Sequence, residues 1–265
     1  MKRKMQYRHI GLYSFFTVLA LMVGFGLKAQ PGATSNDARW VDPIEGVAVR
    51  PIFHASVELK LAGKTLLVDP SFDPALMADL AAPDLILLTD IHGDHLDIKL
   101  LSQLIAKYGE KPIIAPQAVA DKMPAELKKL VKVLRNGDRD RWQDIDIEAV
   151  PMYNLQGREP IFHPKGRGNG YVITGGAKRI YISGDTEATK ELRHLMDIDL
   201  AFVCMNLPYT MDVDQAASGV IDFQPKVVIP YHYRGSGGLS DTKAFKQKVE
   251  AAGKNIHVVL LNFYP

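Results

Sequence analysis

Cysteine is almost absent from this chain of 265 residues, where Cys204 stands alone. No internal disulfide framework can form, so a small scaffold stapled by disulfides is excluded. No thiolate ligand set exists to dictate zinc. Cys204 sits in the apolar run Leu200-Ala201-Phe202-Val203-Cys204-Met205 and reads as a small buried hydrophobe rather than a nucleophile. Net charge is also scarce. Lys and Arg number 32 against 30 Asp and Glu. Five of the basic residues (Lys2, Arg3, Lys4, Arg8, Lys28) fall in the first 29 positions, which hold no acid. The remainder carries 27 basic and 30 acidic residues, a balance of −3. Bulk charge therefore gives nucleic-acid binding no support. No internal repeat of short period is visible.

Long apolar runs are missing except at the start. Ile10 to Leu27 follows the charged residues Lys2, Arg3, Lys4 and Arg8, and small residues near Ala29 follow it. Residues 1–29 read as a secretory signal cleaved to leave Gln30-Pro31. The alternative is an uncleaved membrane anchor through residues 10–27. No Cys lies nearby, which excludes a lipid anchor on cysteine. Either form places the domain outside the cytoplasm, in the periplasm or secreted. Residues 30–39 read as a linker and 40–265 as one domain. Its 47% hydrophobic and 23% charged composition is ordinary for a globular core.

Periodicity predicts a long strand over Val47 to Leu61 and a second over Thr65 to Val68. Leu85 to Leu88 reads as a buried strand, Leu96 to Tyr108 as an amphipathic helix, and Pro112 to Pro116 as a short strand. Ala118 to Lys129 reads as a helix broken near Pro124. Val131 to Leu134 and Ile145 to Val150 read as strands around a charged turn, Gly137 to Arg141. Tyr171 to Thr174 and Arg179 to Ser183 form a hairpin, followed by a helix over Glu187 to Met196 with His194 on its surface. Leu200 to Met205 and Val227 to Tyr231 are strands, with a helix over Val213 to Phe223 between them. A last helix starts at Ser240, and Val258 to Leu261 is a closing strand that His257 introduces structurally.

The candidate chemistry gathers at strand ends. After Leu85 to Leu88 comes Thr89-Asp90-Ile91-His92-Gly93-Asp94-His95, where four side chains can ligate a metal. Met152 to Gly170 lacks periodicity but holds Tyr153, Asn154, His163, Lys165 and Arg167, as a loop serving a site would. Gly184-Asp185-Thr186 ends one strand and His232 ends another. Asp69-Pro70 ends the strand before the metal loop, where Asp69 reads as a plain turn residue.

His92-Gly93-Asp94-His95, with Gly184-Asp185-Thr186 and His232 after it, resembles the metallo-β-lactamase fold superfamily over roughly Val47 to Pro265. Asp90 stands where that family usually has its first His. For Asp69 the resemblance implies a brace for the metal loop, the alternative to a plain turn residue. The branch it looks closest to holds ascorbate-6-phosphate lactonase and N-acyl-phosphatidylethanolamine phospholipase D enzymes. The resemblance implies an α/β fold, a four-layer αββα sandwich. It also implies two metal sites, one from Asp90, His92 and His163, the other from Asp94, His95 and His232, with Asp185 bridging. The cofactor expected is a pair of divalent ions, zinc first, with manganese or iron as alternatives. The activity implied is hydrolysis by a metal-bound hydroxide acting on an ester, lactone or phosphodiester.

Basic residues Lys165, Arg167 and Arg234 flank the ligand positions and suggest a small anionic substrate. His54 is placed at the mouth of the site as a catalytic candidate, or else as a structural core residue. Asp94, Tyr209 and Arg234 complete the catalytic candidates, with Tyr209 and Tyr233 able to donate to a leaving group or line the pocket. The competing readings are a diiron-type oxidoreductase on the same scaffold and a non-catalytic metal-binding protein.

Overall fold

A computed structural model describes residues 39–157 and 159–264. The expected signal or anchor lies outside the described residues. Two seven-stranded sheets form the frame. The first runs in order β1 (Val41–Ile44), β2 (Val47–Phe53), β3 (Ser56–Leu61), β4 (Lys64–Val68), β5 (Leu85–Leu87), β6 (Ile113–Ala115) and β7 (Val131–Val133). The second contains β8 (Arg139–Trp142), β9 (Ile145–Met152), β10 (Gly168–Gly175), β11 (Lys178–Ile182), β12 (Leu200–Cys204), β13 (Val227–Tyr231) and β16 (His257–Val258). A two-residue ribbon pairs β14 (Arg234–Gly235) with β15 (Gly238–Leu239).

Both sheets are built alike. In the first, β1 to β4 pair antiparallel and β4 to β7 parallel. In the second, β8 to β11 pair antiparallel, then β11, β12, β13 and β16 parallel. The central parallel strands β5, β6 and β12 are buried along their whole length, with both faces covered. Alternation still sorts those faces. Leu66, Val68, Leu85, Leu87 and Ile114 join the core shared with Ile173, Ile180 and Ile182 of the second sheet. Leu67, Ile86, Leu88, Ile113 and Ala115 face outward onto Leu100, Leu101 and Leu104. Those leucines belong to α1 (Ile98–Tyr108), capped by Asp97, whose side chain accepts from the Leu100 N–H at 2.9 Å. Each fully buried leucine contributes about 1.5–3 kcal/mol. On the far face of the second sheet, α5 (Val213–Phe223) and α6 (Thr242–Ala251) bury Val220, Phe223, Phe245 and Val249. The expected four-layer αββα sandwich is what the chain forms. Among the described residues no helix is long and apolar enough to cross a membrane.

Several boundaries differ from expectation. The long strand over Val47 to Leu61 is two antiparallel strands, β2 and β3, folded at His54, whose backbone is left-handed (φ 54°). The charged turn Gly137 to Arg141 largely becomes β8, an edge strand whose charged side chains face solvent. The helix over Glu187 to Met196 shrinks to α4 (Lys190–Arg193), because Glu187 and Thr189 are buried in local hydrogen bonding and Thr189 caps the turn. The break near Pro124 separates α2 (Gln117–Lys122) from α3 (Ala125–Lys128). The last helix starts at Thr242 instead of Ser240, with Asp241 as its cap. The closing strand is only His257 and Val258, where His257 pairs through its backbone with β13 and its side chain is exposed.

Candidate metal centre

The repeated architecture places one site. Asp69 follows β4 and the Thr89–His95 loop follows β5, while Asp185 lies just past β11 and His232 follows β13. Chemistry thus sits at the carboxyl ends of the parallel strands of both sheets. The backbone at His54, Asp69 and His232 is left-handed, with φ of 54°, 44° and 47°. Such positions cost about 1–3 kcal/mol each and persist where the surroundings fix them.

Two donor clusters result, Asp94 with His95, Asp185 and His232, and Asp90 with His92 and His163. In the first, His95 Nε2 lies 3.1 Å from His232 Nε2 and 3.3 Å from Asp185 Oδ2. His232 Nε2 lies 3.1 Å from Asp185 Oδ1 and 3.4 Å from Asp94 Oδ2. Tetrahedral donors at roughly 2.0–2.1 Å from zinc are about 3.3 Å apart, so the spacing fits a cation. Asp185 Oδ1 and both ring nitrogens of His163 are buried without a hydrogen-bond partner, and a metal would satisfy the carboxylate oxygen and one of the two nitrogens.

Charge points the same way. Burial alone would raise the Asp185 carboxyl, but His232, His95 and His163 hold it well below its ordinary value. Burial would depress His95, yet Asp185 and Asp69 push it well above the usual histidine value. The carboxylates around these imidazoles demand a positive charge.

The supporting contacts orient the donors. Buried Asp69 accepts from Thr89 N–H at 2.7 Å, Thr89 Oγ1 at 2.6 Å and His95 Nδ1 at 2.8 Å. That fixes the His95 proton at Nδ1 and turns the Nε2 lone pair inward. Asp69 is therefore a brace and not a plain turn residue. Gly168, the first residue of β10, packs against the metal loop, where a Cβ would lie 2.9 Å from the Thr89 carbonyl oxygen.

His54 does face the site, with Nε2 3.2 Å from Asp94 Oδ2 and Nδ1 2.6 Å from the Tyr264 hydroxyl. Tyr264 accepts from the Arg234 N–H at 3.1 Å, which leaves its own proton for His54 Nδ1. His54 then carries its proton at Nε2, toward Asp94. Burial lowers its pKa and keeps the ring neutral.

His92, Asp94, Phe162, His163, Asp185, Asn206 and Tyr209 line a cleft of about 310 Å³. A larger cleft, about 550 Å³, lies beside β8 to β10, where Arg139 pairs with Glu148, Arg141 with Asp146, and Asp140 with Lys132. It holds no convergent donor set.

The basic residues divide. Lys165 pairs with Glu191 at 2.6 Å, and Arg167 pairs with Asp90. Neither is the free anion anchor expected. Arg234 is exposed, lies over the Tyr264 ring at 4.0 Å, and makes no ion pair among the described residues. Tyr209 lines the cleft against Phe162, with ring centroids 5.0 Å apart. Tyr233 does not line it: its hydroxyl donates to the Leu261 carbonyl at 3.1 Å and accepts from the Phe263 N–H.

Sequence reasoning named Asn154 only as one polar residue of its loop, with no role, and missed Tyr264. Asn154 Oδ1 accepts from the N–H groups of Phe162 and His163 at 2.9 and 2.8 Å, and its amide donates to the Tyr209 carbonyl at 2.9 Å. It closes the His163 loop onto the Tyr209 loop. Its place in a polar loop was the only signal available. Tyr264 had none.

The beta-lactamase superfamily domain model matches residues 49–232. A UPF0173 metal-dependent hydrolase of Ligilactobacillus salivarius is 31% identical over 68% of this chain and 82% of its own length. One from Methanopyrus kandleri is 28% identical over 78% of this chain and 94% of its own length. A crystal structure described as a metal-dependent hydrolase of Parabacteroides distasonis superposes with a TM-score of 0.67 at 38% identity, covering 81% of this chain and 92% of that one.

Proposed function

The chain belongs to the beta-lactamase superfamily domain family and is a metal-dependent hydrolase of the metallo-β-lactamase fold, and from that premise we propose that it cleaves an ester, lactone or phosphodiester of a small anionic molecule. The observation that carries the reading is the convergence of Asp94, His95, Asp185 and His232 at metal-ligand spacing beside a cleft of about 310 Å³. That volume suits a small substrate.

Asp94, His95, Asp185 and His232 would hold a divalent ion, zinc first on donor type and spacing, with manganese or iron as alternatives. Asp90, His92 and His163 offer donors to a second ion once Arg167 withdraws. A divalent ion in such a site supplies Lewis acidity toward a carbonyl or phosphoryl oxygen and lowers the pKa of water.

The chain's own residues set the rest. Asp69 keeps the His95 proton away from the donor cluster. His54 holds a proton at Nε2 beside Asp94, the donor we assign to the leaving group. Arg234 is the basic side chain left for the anionic part of the substrate, since Lys165 and Arg167 are engaged. Tyr209 and Phe162 form an aromatic wall. The basic residues before Ile10 and the apolar run after it support export, by a cleaved signal or by an anchor; mature protein starting at Gln30 supports the signal, and an intact Met1 in membranes the anchor.

The test is a panel of esters, lactones and phosphodiesters assayed with chelator-treated and reconstituted protein. Turnover should vanish with the metal and return with zinc or manganese, and Asp185→Asn should abolish it. Arg234→Gln should raise KM for anionic substrates and leave neutral esters unchanged. Hydrolysis that survives both metal removal and Asp185→Asn overturns the reading.

A further inference from the structure

We propose that Arg167 is a built-in cation of the Asp90, His92 and His163 cluster, closing it to metal so that the resting protein carries one tightly held divalent ion instead of two. The inference rests on the metal-hydrolase reading of the four-donor cluster.

Asp90 is fully buried, and both its oxygens are taken by one guanidinium: Arg167 Nε donates to Oδ1 at 3.0 Å and Nη2 to Oδ2 at 2.7 Å. This is the bidentate fork that arginine forms with carboxylates. The same Nη2 lies 3.3 Å from His92 Nε2. A guanidinium only donates, so His92 Nε2 accepts and spends its lone pair there. The proton of the neutral ring then sits at Nδ1, which stands 3.0 Å from Asp90 Oδ2. Both oxygens of Asp90 already face a donor, and the His92 lone pair is spent on Arg167.

His163 is different. Neither of its ring nitrogens has a hydrogen-bond partner. Its Nε2 lies 3.9 Å from Asp90 Oδ2 but 3.1 Å from Asp185 Oδ2, the same oxygen that His95 Nε2 approaches at 3.3 Å. His163 stays beside His92, with ring centroids 5.0 Å apart, and reaches the Asp185 carboxylate that was expected to bridge the two clusters, so it is the one donor of its cluster that Arg167 does not engage.

Arg167 is held in place by more than this ion pair. Its N–H donates to the Pro164 carbonyl at 3.3 Å, and two residues on Asn169 N–H donates to the Thr89 carbonyl at 2.9 Å, tying the segment to the metal loop. The guanidinium stays charged at any pH the protein meets. A second divalent ion would face that charge across a few ångströms beside the fully buried Asp90, where repulsion is screened less than in open solvent. The departure at Asp90 and the arginine are one feature: a carboxylate replaces an imidazole, and a fixed cation answers it.

The test is the zinc-to-protein ratio by elemental mass spectrometry at buffered free zinc, for wild type, Arg167→Lys and Arg167→Gln. Wild type and Arg167→Lys, which keeps the charge, should hold one ion; Arg167→Gln should hold two. Two ions in wild type at equal affinity, or one ion in Arg167→Gln, overturns the inference while leaving the hydrolase reading intact. No ion in any of the three overturns both. If Arg167→Gln fails to fold by thermal melting, a wild-type zinc titration decides. A second equivalent binding about tenfold or more weaker than the first supports the inference, and one within that range overturns it.

Discussion

Replacing Asp69 by Asn should weaken metal binding without moving a ligand. Asn tolerates the left-handed backbone that Asp69 adopts at φ 44°. Its amide oxygen can keep the Thr89 N–H bond made by Oδ1 at 2.7 Å. Oδ2, which takes the Thr89 hydroxyl at 2.6 Å and His95 Nδ1 at 2.8 Å, becomes an NH2 group and can only donate. His95 must then accept at Nδ1 and carry its proton at Nε2. That nitrogen points at His232 and Asp185, 3.1 and 3.3 Å away, and when protonated it cannot ligate. Lost partners of this kind cost about 10–100-fold in metal affinity, or about 1.4–2.7 kcal/mol. Losing the charge-assisted bond should also destabilise the metal-free protein by about 1.5–3 kcal/mol. Zinc affinity is read by competition against a chromophoric chelator near neutral pH, and stability by thermal melting in chelator. Affinity within twofold of wild type would refute the claim that Asp69 sets the His95 tautomer. A stability loss alone would make Asp69 a structural brace and nothing more.

Gly168→Ala should cost about 1–3 kcal/mol in urea unfolding, because the added methyl meets the Thr89 carbonyl at 2.9 Å and Asp90 Oδ1 at 3.2 Å; an unchanged midpoint would show that the metal loop yields. Burial leaves Cys204 unexposed and pushes its thiol up to about 12, so a thiol reagent should label it only after denaturation; fast labelling of native protein would mean that the sheet opens. Burial would raise the Asp199 carboxyl, but bonds from Lys226 and the Arg179 N–H hold it below its ordinary value. The stability lost in Asp199→Asn should therefore be fully present above the unfolded value near 3.9 and disappear as pH falls through the lower folded value. A loss that grows on acidification would contradict this sign.

The parts of the site that lie next to one another in sequence were legible. Leu85 to Leu88 and Val227 to Tyr231 announced buried strands, and the ligating side chains directly after them could only sit at strand ends. The family resemblance implied a histidine ligand in the polar loop, and His163 is the only histidine there. What stayed hidden depends on contacts between distant residues. Tyr264 reaches His54 across 210 positions, and Arg167 reaches Asp90 across 77. Neither pair leaves a local pattern, so Arg167 read as a free anion anchor. The fold at His54 was masked because Val47 to Leu61 keeps its apolar content through the turn, and no glycine marks the left-handed residue. β8 was masked by charge, since an edge strand in solvent has the composition of a turn.

The central claim is that Asp94, His95, Asp185 and His232 hold the metal on which hydrolysis depends. The most direct measurement is anomalous-difference density from zinc-loaded crystals, collected above and below the zinc absorption edge. A strong peak is expected among these four side chains and none of comparable height beside Asp90 and His92. A lone peak beside Asp90 and His92, or no peak at either cluster, would contradict the claim.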